Sequence, residues 1–278
     1  MRRLGSWILG ALLAALGFAG CTTFDEQQRK WIFQPATQTW WAGPDALNGS
    51  VEHWIEFDSQ VTSSPAKLHA VWFDGPRPDS PILLYLHGAR WDVSGSARRM
   101  QRMSELGFAV LGVDYRGFGK SGGGLPSERM AYEDALQSWR WLARREPNRA
   151  RYIFGHSLGA AVAVNLATEV DDAAGLIVEG AFTSIADVAS TFRWGWLPFS
   201  ALITQRFEAA RKIGKVKAPV LVVHGSDDRL IPPALGRALY EQARTRKSFV
   251  LVEGGSHHNT NAVGQSHYRA ALHDLFGL

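Results

Sequence analysis

Eight short apolar runs, each closed off by glycine, proline or a polar residue, constrain this chain more than any other feature. The candidate strands are Val51–Phe57, Lys67–Phe73, Pro81–His87, Phe108–Asp114, Arg151–Gly155, Gly175–Glu179, Pro219–His224 and Ser248–Glu253. The last six contain β-branched and apolar runs bounded by Gly, Pro or Asp, as strands buried on both faces should. The first two alternate more, as an antiparallel edge hairpin would. Helical patterns fill the gaps at Ser94–Leu106, Ser127–Arg145, Leu158–Glu169, Pro233–Arg244 and Ala262–Phe276, with Ser127 placed to cap the second. Strand and helix in alternation predict an α/β fold, a mostly parallel eight-stranded sheet flanked by helices. With 278 residues, 46% of them hydrophobic, the chain can bury one large core without disulfides or metals.

One strand-to-helix junction carries a chemical pattern. Gly155-His156-Ser157-Leu158-Gly159 fits G-x-S-x-G, with the run Arg151–Phe154 before it and Ala160-Ala161 after it. In that setting the serine sits on a strained turn and its hydroxyl projects above the sheet edge. The flanking glycines let strand and helix approach closely. The amide of Leu158, at the helix start, would face a bound substrate.

A serine hydroxyl is a weak nucleophile until a base takes its proton. The expected chain order in this architecture is serine, acid, histidine. After Ser157 the strand ending at His224 runs into "HGSDDRLIP", and the next strand runs into "EGGSHHNT". An acid and a histidine therefore follow two successive strands. Spacing alone leaves Asp227 or Asp228 as the acid, and His257 or His258 as the base. A second oxyanion donor should come from the loop His87-Gly88-Ala89-Arg90-Trp91, through the amide of Ala89. His87 reads as a brace for that loop.

Other patterns fail on context. Gly117 to Gly122 matches G-x-G-x-x-G, but Gly123-Gly124-Leu125-Pro126 follows and no helix opens there. "GKS" at Gly119–Ser121 would need glycine where Asp114 stands. One cysteine and no H-E-x-x-H give no metal site, and the proposed chemistry needs no cofactor. His53, His69, His224, His267 and His273 read as structural or surface positions. The net charge of +4 is spread along the chain without a basic block, which argues against nucleic acid. Nothing in the sequence sets the oligomeric state.

The segment between Ala181 and Ala218 is long for a connection, is interrupted at Gly195 and Pro198, and carries Trp194, Trp196 and Phe199. Its position suggests a small helical lid over residues 182–217. Arg90, Trp91, Trp194, Trp196 and Phe199 are the candidate substrate-binding residues, lining an apolar acyl site.

Together "LHGA", the run Asp114–Ser121, "GHSLGA", "APVLVVHGSDDRLIP", "GGSHHN" and "EGAFTS" resemble the serine α/β-hydrolases, in particular a Bem46-like, depalmitoylase-like group. The resemblance covers about residues 51–278. It implies the α/β-hydrolase fold and a catalytic set of Ser157, Asp228 and His257, because H-G-x-x-D-x-x-[VI]-P lands on Asp228 and G-x-H on His257. The chain departs from the group at Arg90-Trp91, where its members often carry small or amide residues. The implied activity is hydrolysis of a small-molecule or lipid ester, or a thioester, through an acyl-enzyme. A peptidase or amidase with the same residues, and a non-catalytic envelope binding protein, are the alternatives.

The N-terminus reads Met1-Arg2-Arg3, an apolar stretch from Leu4 to Phe18, then Ala19-Gly20-Cys21. The run Phe18–Cys21 resembles the lipobox of bacterial lipoproteins, which implies a signal peptide over residues 1–20 and lipidation of Cys21. The expected location is the bacterial cell envelope, lipid-anchored at the outer membrane and facing the periplasm. Residues 21–50 would be an irregular linker or strap, with Trp31, Trp40 and Trp41 packed over the domain or touching lipid.

Overall fold

A computed structural model of the protein describes residues 23–35, 43, 45–192 and 202–278. Eight strands form one sheet: β1 (Ser50–Ser59), β2 (Ser64–Phe73), β3 (Ile82–Leu86), β4 (Ala109–Val113), β5 (Arg151–His156), β6 (Gly175–Glu179), β7 (Val220–Gly225) and β8 (Lys247–Val252). Their order across the sheet is β1-β2-β4-β3-β5-β6-β7-β8. β1 and β2 form the expected antiparallel hairpin, and β2 also meets β4 antiparallel. All other neighbours are parallel.

The period-two alternation of strand side chains divides the core in two. Leu84 and Leu86 of β3 face one apolar cluster, while Leu83 and Tyr85 face the other. The first cluster is closed by α3 (Glu128–Arg145), α4 (Leu158–Glu169), α6 (Ala209–Ile213) and α7 (Pro233–Gln242), through Trp139, Val162, Ile213 and Leu239. The second is closed by α2 (Val93–Glu105) and α9 (Gln265–Phe276), through Met100, Met103, Tyr268 and Leu272. Ser127 caps α3, its hydroxyl accepting from the Met130 amide.

Three sequence expectations change. Residues 23–33 form a helix, α1, rather than an irregular strap. Its stretch lacks glycine and proline, Asp25 pairs with Arg29 one turn on, and Pro35 lies just past its end. The C-terminal helix is split into α8 (Thr260–Val263) and α9, with Gly264 between them. A Cβ at Gly264 would lie 2.8 Å from both the Thr260 carbonyl oxygen and Val252, so the chain turns there against β8. Finally, β8 is not buried on both faces. As the sheet edge it has only Val252 buried, and Leu251 is 40% exposed.

From β3 the chain passes to β4 on one side and then to β5 on the other. This reversal opens a crevice at the carboxyl ends of the strands, where open α/β sheets place their ligand sites. The 182–217 segment begins after β6. Its described part contains α5 (Ile185–Ser190) and α6.

Candidate active site

Ser157 joins β5 to α4 with φ 56° and ψ −121°. This is a left-handed φ that few non-glycine residues adopt, at a cost of roughly 1–3 kcal/mol. The glycines around it explain how the strain is held. A Cβ at Gly155 would lie 2.2 Å from the Gly159 carbonyl oxygen, and a Cβ at Gly159 would lie 2.1 Å from the Leu86 carbonyl oxygen. α4 is thus pressed against the ends of β3 and β5 by bare backbone. The amide of Ser157 donates to the Glu179 carbonyl at 2.9 Å, which ties the turn to β6.

The hydroxyl of Ser157 lies 2.9 Å from His257 Nε2, and His257 Nδ1 lies 2.7 Å from Asp228 Oδ2. Asp228 follows β7 and His257 follows β8, so three strand ends converge. The structure separates the two ambiguous pairs. Asp227 is exposed in the turn, with its amide bonded to the Gly255 carbonyl, whereas Asp228 is buried and its Oδ1 accepts the amides of Leu230 and Ile231 at 3.0 and 2.8 Å. His257 is buried against Asp228. His258 is exposed and its ring stands 5.2 Å from that of Trp91.

The electrostatics fit this arrangement. Burial opposes the charge on Asp228, but hydrogen bonds from His224 and His257, the His257 charge and the Ile231 amide outweigh it and hold the carboxyl well below its ordinary range. His224, read as structural, is fully buried with Nε2 2.9 Å from the Ile231 carbonyl oxygen and 3.4 Å from Asp228 Oδ2. His156 is pushed well below the ordinary histidine value by burial, and then by the charges of Arg99 and His257. It stays neutral, and its Nε2–H donates to the His257 carbonyl at 3.0 Å. Burial likewise lowers His87, whose Nδ1 lies 2.7 Å from the Gly88 carbonyl oxygen in the loop it braces.

Ser157 and His257 open into a cavity of about 540 Å3. Gly88, Ala89 and Leu158 line the same cavity as Ser157, so the two residues expected to supply the oxyanion amides border the pocket into which the hydroxyl opens. Arg90 and Trp91 also line it, and Arg90 holds a left-handed φ of 74° while its amide bonds to the Phe33 carbonyl at 2.9 Å. Trp194, Trp196 and Phe199 fall outside the described residues, as does Cys21. The described part of the 182–217 segment contributes Phe182, Ile185, Val188 and Phe192 to one wall.

Another wall was not legible in the sequence: Trp31 and Ile32 from the end of α1 and Gln34 just beyond it. α1 is fastened there by Phe33, which is fully buried against Phe207, and by Gln28, which bonds the backbone of Leu202 and Thr204. A second group missed by sequence reasoning lies under the histidine loop, where Arg99 of α2 pairs with Glu179 of β6 at 2.9 Å. Among the described lining residues Arg90 alone carries a permanent charge, and none is Asp or Glu. Among the described residues no group of three or more acids, histidines or cysteines could hold a metal ion, and no helix is long and apolar enough to cross a membrane.

A hydroxyl, an imidazole and a carboxylate in one hydrogen-bonded line can carry a proton from the oxygen to the ring and back. Comparison with known proteins agrees with hydrolytic chemistry. The family model for serine aminopeptidase S33 hydrolases matches residues 77–209 and 191–261. The Mycobacterium tuberculosis protein MT2364 is 34% identical over 252 residues, covering 89% of this chain and 86% of that protein. The lysophosphatidylserine lipase ABHD12 of Danio rerio is 35% identical over 199 residues, but these make up 64% of this chain and only 52% of the lipase. Among solved structures, the Pyrococcus furiosus esterase Pf2001 superposes with a TM-score of 0.64 at 18% identity, over 87% of this chain and 98% of the esterase. The architecture is the α/β-hydrolase fold.

Proposed function

The chain belongs to the serine aminopeptidase S33 family of hydrolases, and from that premise we propose that it cleaves carboxylic ester or thioester bonds through an acyl-enzyme on Ser157. The observation that carries this reading is the hydrogen-bonded line from Ser157 through His257 to Asp228 at the mouth of an apolar cavity. His257 takes the Ser157 proton as the oxygen bonds to the carbonyl carbon. The resulting oxyanion is held by the amides of Leu158 and Ala89. His257 then returns the proton to the leaving group as the ester bond breaks, and water repeats the sequence to release the acid. Asp228 keeps Nδ1 protonated and stabilises the imidazolium. The lipase relatives and the apolar cavity support an ester with an apolar acyl group, of the kind found in lysophospholipids.

The family description favours a second reading, an aminopeptidase. Such an enzyme must bind a free ammonium group, for which a carboxylate in the pocket is the natural partner. The absence of Asp and Glu among the described lining residues favours the ester. Matched ester and amide substrates separate the two readings, and Ser157→Ala should reduce ester turnover to background. Full activity in that variant would remove Ser157 from the chemistry.

The membrane assignment is part of the same proposal. Met1-Arg2-Arg3, the apolar stretch to Phe18 and Ala19-Gly20-Cys21 support export and lipidation at Cys21, with a place in the cell envelope and at the outer membrane. Cys21→Ala should move the protein from the membrane fraction to the soluble one. The Bem46-like subgroup is the finer family placement this reading favours.

A further inference from the structure

Under the His257 loop lies a buried network that the reaction scheme does not use. Arg99 is 5% exposed and Glu179 is 1% exposed. Arg99 Nε donates to Glu179 Oε1 at 2.9 Å, and one terminal nitrogen of the same guanidinium donates to the His258 carbonyl at 3.1 Å. Burial works against the charge on Arg99, but Glu179 and the Tyr85 and Tyr268 phenols outweigh it and raise its pKa. Glu179 Oε2 accepts the Tyr268 hydroxyl, which burial keeps protonated. The main-chain carbonyl of Glu179 accepts the Ser157 amide at 2.9 Å. One residue step away, His156 donates to the His257 carbonyl at 3.0 Å.

The connectivity is specific. Consecutive carbonyls of the histidine loop, at His257 and His258, are each held by a buried donor. One donor is the residue before Ser157. The other is joined through Glu179 to the Ser157 amide itself. Gly180, the next residue, makes room for the imidazole: a Cβ there would stand 3.2 Å from two atoms of the His257 ring. Pairing a buried guanidinium with a carboxylate is weak evidence for stability, since the desolvation of both groups offsets their attraction. A planar fork that spans a carboxylate and a backbone carbonyl is instead well suited to fixing geometry.

We propose that Arg99, held by Glu179, is a positioning residue that sets His257 Nε2 against Ser157 Oγ by fixing the His257–His258 backbone. This rests on the serine hydrolase reading. Arg99 touches neither substrate nor the reacting atoms. It acts through the loop, so its removal lowers kcat and leaves KM nearly unchanged.

The test is a cycle on the full chain with an ester substrate, using Arg99→Lys, which keeps a cation facing Glu179 but removes the fork. The displaced base costs about 10- to 100-fold in kcat, with KM within about twofold, in line with what an ångström of misplacement does. Thermal unfolding checks that the variant is folded. In a His257→Ala background, adding Arg99→Lys should leave the residual rate unchanged, because the arginine has nothing left to position. Glu179→Gln, which keeps an acceptor for Arg99, supplies a second entry to the cycle should Arg99→Lys not fold. Its smaller loss of kcat should vanish in the same background. A folded variant with wild-type kcat overturns the inference, and so does a loss that persists without His257, or a loss confined to KM. Wild-type protein inert to esters and to fluorophosphonates overturns the hydrolase reading itself, and the inference with it.

Discussion

Gly159→Ala tests the backbone contact that raises Ser157 above the sheet. The added Cβ would stand 2.1 Å from the Leu86 carbonyl oxygen and 2.5 Å from that of His87. Both obstacles are main chain, so no rotamer change relieves them. To restore a tolerable contact α4 must withdraw from β3 by roughly 1 Å, since non-bonded carbon and oxygen atoms repel steeply at shorter range. Overpacking of this kind costs about 1–3 kcal/mol. In a domain of this size that lowers the thermal midpoint by roughly 2–12 °C. The same withdrawal carries the Ser157 turn away from His257, and misplacement on that scale lowers turnover by about 10²-fold. The assay pairs thermal unfolding with ester hydrolysis and uses Gly122→Ala as control, because a Cβ at Gly122 meets nothing within 4 Å. A Gly159→Ala protein with unchanged midpoint and full activity would refute the close-packing argument.

Three further outcomes follow from the site. Asp228→Asn should lower kcat by about 10⁴-fold by orienting the wrong His257 tautomer. The Asp228 pKa is depressed in the folded protein, so its contribution to stability is present above the ordinary carboxylate value near 4 and is lost as pH falls through its lowered folded value. The stability gap between wild type and variant, read by denaturant unfolding at a series of pH values, should therefore narrow below about pH 4. Trp31→Ala removes a cavity wall that is 73% exposed, so it should raise KM for long-chain esters more than for short ones while leaving the fold intact, as an acyl-length series would read out.

Much of the site was legible because it is built at strand ends. Ser157, Asp228 and His257 each follow a strand whose apolar run is plain in the sequence, and a parallel sheet brings such ends together whatever lies between them. Within Asp227-Asp228 and His257-His258 spacing alone leaves both choices open; the family resemblance points to Asp228 and His257, and these are the two residues found bonded to each other. Adjacent residues share their spacing, and it is burial, the amides of Leu230 and Ile231 and the contact with His257 Nδ1 that distinguish the acid. The walls were less legible. Trp31 reaches the cavity because α1 is fastened by Gln28 to residues more than 170 positions away. The Arg99–Glu179 pair joins α2 to β6 across 80 residues, and no local pattern marks either partner. The surface character of β8 was hidden for a similar reason, since its apolar sequence does not say that it ends the sheet.

The most direct measurement is reaction of the full-length protein with a fluorophosphonate, followed by peptide mass mapping. One adduct on Ser157, formed together with loss of ester turnover and prevented by His257→Ala, is the predicted result. No adduct on Ser157 from folded protein, or turnover that continues after stoichiometric modification of Ser157, would contradict the assignment of this hydroxyl as the attacking group.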